Sequence, residues 1–130
     1  METVVKKFAD FLVTGWGRSA TKFLKDGAAF KLLIGEQAFS LRKIAGEIVI
    51  HSEDPKNYDV LLEVTPSAIE SLWEAKSEND YQERVGRLTN QPTPEQYLRM
   101  KIMMEPTESN LTDFYWKGYL MWARRLLFDI

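Results

Sequence analysis

Between Phe30 and Val64 the chain alternates apolar with polar or mixed positions four times, and no other feature narrows its possible folds so far. Phe30, Leu32 and Ile34 alternate with Lys31 and Leu33 until Gly35-Glu36. Phe39 and Leu41 alternate with Ser40 and Arg42 and lead into Ala45-Gly46. Ile48 and Ile50 alternate with Glu47, Val49 and His51, ahead of Asp54-Pro55-Lys56-Asn57. Val60, Leu62 and Val64 alternate with Asp59, Leu61 and Glu63. Successive side chains of a strand point to opposite faces, so each run puts its large apolar residues on one side. Turn residues between the runs predict an antiparallel meander over 28–64. One face of that sheet is apolar and the other mixed, so helices must cover the first.

The flanks supply them. Residues 1–27 form an N-terminal helical segment in which Val4, Val5, Phe8, Phe11 and Leu12 share one face. Gly15 and Gly17 around Trp16 break it, and a short second helix over 19–25 stops at Asp26-Gly27. Thr65-Pro66 places a capping hydroxyl before a proline at the first helical position, predicting a helix over 65–76 with Ile69, Leu72 and Trp73 on one stripe. Residues 77–98 show little periodicity, with loops expected at 77–80 and 91–94. Met100, Ile102 and Met104 alternate with Arg99, Lys101 and Met103, which predicts a fifth strand over 99–105. A last helix over 109–128 carries Leu111, Tyr115, Tyr119, Trp122 and Leu126 on one stripe, with Trp116, Leu120, Ala123 and Leu127 beside it. A helix so broadly apolar must be buried on several sides or face a ligand or partner. The expected architecture is a single α+β domain over 1–130, with a five-stranded, mainly antiparallel sheet covered on one face by helices.

Composition excludes several functions. At 130 residues, 45% apolar and 12% aromatic, the chain can bury one core. Its 17 basic and 19 acidic residues leave a net charge of −2, which argues against a nucleic-acid partner. With no cysteine there is no disulfide, thiolate nucleophile or cysteine-containing zinc site. No run reaches the length of a transmembrane segment, and Lys6 and Lys7 interrupt the first apolar stretch, so a cytoplasmic protein is expected.

Motifs for chemistry are weak. Gly15-Trp16-Gly17-Arg18-Ser19-Ala20 fits G-x-G-x-x-A, but dinucleotide binding requires a preceding strand and here a helix precedes it. His51, the only histidine, stands in His51-Ser52-Glu53-Asp54 and reads as a solvent-facing strand end. A serine triad would need this same histidine, and no G-x-S-x-G elbow exists. Nothing marks a general acid/base pair. No catalytic residue, metal or cofactor is expected.

The segments Phe30-Lys31-Leu32-Leu33-Ile34-Gly35, Phe39-Ser40-Leu41, Glu47-Ile48-Val49-Ile50 and Asp59-Val60-Leu61-Leu62, running into Thr65-Pro66, resemble the sterol carrier protein 2 (SCP2-like) family. The stretch 77–98 is longer than that family usually has. The resemblance implies a non-enzymatic protein whose partner is an apolar small molecule or lipid (lipid, fatty acyl or sterol-like), held in a cavity between sheet and helices. The lining expected on that basis is Phe39, Leu41, Ile48, Ile50, Leu62, Leu72, Trp73, Tyr115, Tyr119 and Trp122. The alternative is a protein-interaction or accessory subunit that uses the apolar C-terminal helix as a partner or homodimer face.

Overall fold

The computed structural model describes residues 2–13, 18–105 and 107–126. The alternating runs form the strands β1 (Ala29–Ile34), β2 (Gln37–Ile44), β3 (Glu47–His51) and β4 (Val60–Val64), and β5 (Leu98–Ile102) follows later. They make one five-stranded sheet in the order β3-β2-β1-β4-β5. The register aligns the apolar positions across it: Leu41 pairs with Ile50 and Phe30, and Phe30 with Val60. The next row joins Phe39, Leu32, Leu62 and Met100. An α+β fold with a mainly antiparallel sheet is thus what the alternation encodes.

The meander stops at β3. Instead of pairing with β3, β4 runs parallel to β1 on the other side of the sheet. A parallel neighbour needs a crossover where an antiparallel one needs only a turn. Residues 52–59 provide it. Asp54-Pro55-Lys56-Asn57, expected to close a strand tightly, lies within this crossing segment. Ser40 Oγ donates to Glu53 Oε1 at 2.9 Å, Lys31 Nζ meets Asp54 Oδ1 at 2.9 Å, and the same ammonium stands 5.9 Å from the Tyr58 ring. Ser40 and Lys31 alternate with the core residues, so the segment passes over the face opposite the helices.

On the apolar face lie α1 (Glu2–Val13), α2 (Arg18–Thr21), α3 (Pro66–Trp73), α4 (Glu78–Asn90), α5 (Glu108–Trp116) and α6 (Tyr119–Leu126). Phe8, Phe11 and Leu12 of α1 join Ile69 and Leu72 of α3, and Tyr81, Val85 and Leu88 of α4, in one core with the strand residues. Thr65 caps α3 as its sequence requires, with Oγ1 accepting from Ala68 N. The loop expected at 77–80 is instead the start of α4: Ser77 Oγ accepts from Asp80 N at 3.0 Å. That helix buries one thin stripe, which is why its periodicity was faint.

The single C-terminal helix expected over 109–128 is two helices, broken at Lys117-Gly118. Gly118 has φ +84°, and a Cβ there would run into the carbonyl oxygen of Phe23. Lys25 N donates to the Lys117 carbonyl at 2.9 Å. The α5–α6 corner therefore fits tightly against the chain leaving α2. Residues 127 and 128, expected to extend that helix, and Gly15-Trp16-Gly17 of the dinucleotide-like motif lie outside the described residues.

Candidate functional site

α1 buries Phe8, Phe11 and Leu12 and leans toward α3, where Lys7 Nζ meets both carboxylate oxygens of Glu70 at 2.9 and 2.7 Å. That placement leaves the margin of the sheet along β3 only partly covered. Between α1 and the β2–β3 margin runs an open groove of about 390 Å³. Val5 and Ala9 form its helix wall, Phe39, Ile48 and Ile50 its sheet wall, and Lys6, Gln37 and Ser52 bring polar atoms. Ala9 matters by being small, since a larger side chain one turn from Val5 would occupy the space. A second groove of about 330 Å³ continues from Ile48 past Leu12 and Val13 to Thr21 and the β2–β3 turn.

Three of the ten expected lining residues, Phe39, Ile48 and Ile50, meet in the first groove. Five others lie in the packed core: Leu41, Leu62, Leu72, Tyr119 and Trp122 are each at most 1% exposed. None of them lines either of these two grooves. Trp122 packs its ring 4.9 Å from that of Phe30, and its Nε1 meets no hydrogen-bond partner among the described residues. Trp73 and Tyr115, 40% and 58% exposed, face away from the core. Val5, Lys6, Ala9, Gln37 and Ser52 complete the groove without having been expected there. Val5 was legible as part of the apolar face of α1, but nothing in the period says which sheet margin that face would overhang.

Tyr119 has a structural task. Its hydroxyl donates to Asp59 Oδ2 at 2.6 Å and accepts from Ala29 N at 2.7 Å, while Lys117 Nζ meets the same Asp59 oxygen at 3.0 Å. This network ties α6 to the starts of β1 and β4. Burial, followed by the Asp59 hydrogen bond, pushes the Tyr119 phenol far above its ordinary pKa. His51 is exposed at the end of β3. Among the described residues no three histidine or carboxylate side chains converge as a metal site, and no described helix is long and apolar enough to cross a membrane.

No protein-family model matches the sequence, and no curated relative matches it. A solved structure titled "UbiJ-SCP2 Ubiquinone synthesis protein" is similar in chain path, with 12% identity and a TM-score of 0.45 over 92% of this chain and 96% of that one. The likeness is one of outline alone, and at that score it carries no argument about ligand or activity.

Proposed function

We propose that the protein binds the apolar chain of a lipid-like small molecule, without catalysing a reaction on it, in the groove between α1 and the β2–β3 margin. The observation that carries this reading is the groove itself: about 390 Å³, walled by Val5, Ala9, Phe39, Ile48 and Ile50. That volume falls within the roughly 300–1,000 Å³ of small-molecule sites, which are mostly apolar with few polar groups. The SCP2-like strand pattern agrees with it in kind, although the site lies at the sheet margin and the space between sheet and helices is filled by core side chains. A sixteen-carbon chain buried completely would gain roughly 12 kcal/mol at ~0.8 per methylene. Association costs about 4–15 kcal/mol, and an open groove buries less, so the affinity should be micromolar or weaker.

Ala9→Phe tests the site by filling it. Titration with a fluorescent fatty acid should show binding to the native protein and at least a tenfold loss in the variant, with the melting temperature nearly unchanged. Equal binding by both would remove the groove from consideration, and no binding by the native protein would remove the function.

A second reading has its own observation. Leu111, Tyr115, Trp116, Leu120 and Met121 of α5 and α6 are exposed, Trp116 by 69%. So much surface apolarity on one helix pair favours a protein-interaction subunit or homodimer.

A further inference from the structure

We propose that the ligand is an anionic single-chain amphiphile, its tail in the first groove and its carboxylate or phosphate head among Arg18, Lys22 and Lys43 of the second. This rests on the reading of the first groove as an apolar-chain site and adds the identity of the head. Ile48 lines both grooves, and α1 walls both, with Val5 and Ala9 in the first and Leu12 and Val13 in the second. The two grooves adjoin at Ile48 and together would make one trough. From Val5 to Val13 it follows α1 for about 12 Å, and from Ser52 to Gly46 it follows the strand margin for about 20 Å. Acyl chains in one bilayer leaflet span roughly 15 Å.

The two ends differ in chemistry. The first stretch brings Lys6 as its single charged lining residue. The second brings Arg18, Lys22 and Lys43 against Glu47, three cations to one carboxylate. Lys43 Nζ lies 3.5 Å from the Thr21 carbonyl, and Lys22 Nζ stands 5.7 Å from the Phe23 ring. Among the described residues none of the three cations is held in an ion pair. Asp26, a further carboxylate by the β2–β3 turn, accepts from Gly46 N at 2.9 Å. On a chain of net charge −2, three cations to one carboxylate at the end of an apolar trough match a ligand with a greasy tail and a negative head. A sterol or other neutral lipid would leave those charges without a partner.

The experiment compares dodecanoate, dodecyl phosphate and dodecanol, each below its aggregation limit, by displacement of a fluorescent fatty acid from the full chain. The same series is run on Lys22→Gln/Lys43→Gln and at high salt. The two anions should bind about tenfold more tightly than the alcohol, given two or three partly exposed charge pairs. The double variant and salt should each erase that preference and leave dodecanol unchanged, which also shows that the trough is still formed. Equal binding of all three ligands by the native protein would overturn the anionic head while leaving the apolar-chain site standing. A preference that survives the double variant would place the head elsewhere and overturn the assignment. If none of the three binds, the apolar-chain reading falls with it.

Discussion

Gly118 is held by two independent constraints. Its φ of +84° suits glycine, and the Phe23 carbonyl occupies the space a side chain would need. Gly118→Ala combines left-handed strain with a backbone clash, so it should cost about 2–5 kcal/mol and lower the melting temperature by on the order of 10 °C, as calorimetry would show. Tyr119→Phe removes one of the two donors to Asp59 Oδ2 and the side-chain acceptor of the Ala29 N–H, at a cost of about 1–3 kcal/mol. The sign of its pH dependence follows from the raised folded-state pKa. Folding favours the neutral phenol, so the contribution is complete below the unfolded value near pH ~10 and lost as pH rises above it. Denaturation curves of the native protein should therefore steepen in their loss of stability above about pH 10 relative to Tyr119→Phe; parallel curves would contradict the assignment. Thr65-Pro66 was readable from two letters because a cap and a first-turn proline act locally. Gly118 was not. The apolar residues on either side of it continue at helical spacing, and the need for a break comes from Phe23, which is distant in sequence.

Among the elements, the strands were legible because each alternating residue reports its own face. Pairing was not, since a period of two names no neighbour; hence β4 was expected beside β3 and lies beside β1. The candidate site divides in the same way. Phe39, Ile48 and Ile50 share the helix-facing side of the sheet with Leu41 and Leu62, but that side is deep at Leu41 and Leu62 and shallow at the β3 margin, a difference set by where α1 lies. The β2–β3 hairpin that carries the site has a two-residue loop with both φ values positive, Ala45 at +50° and Gly46 at +81°. That is the type I′ pattern, which favours asparagine at the first position. Ala45→Asn should raise stability by about 1 kcal/mol by relieving the left-handed alanine, measurable by urea denaturation; no gain, or a loss, would show that the turn is not strained.

At the scale of the molecule, the C-terminal hairpin is both core and surface. Phe114, Tyr119, Trp122 and Ala123 complete the interior, while Leu111, Tyr115 and Trp116 stay outside. Truncation before Glu108 should therefore unfold the protein, losing its cooperative thermal transition, whereas Trp116→Glu should leave that transition in place. Should the exposed face join two copies, sedimentation of Trp116→Glu would show monomers where the native protein shows dimers; monomers in both cases would end the homodimer reading. The position of β4 also bears on how the chain reaches this state. β1, β2 and β3 are joined by tight turns and can pair through short closures, whereas β4 must return past the 52–59 crossing to lie against β1 in the middle of the sheet. Closing that longer loop costs entropy before its contacts repay it. The central pair of the sheet would then be the late, rate-setting event in folding, and the β2–β3 hairpin would form early and wait for its core.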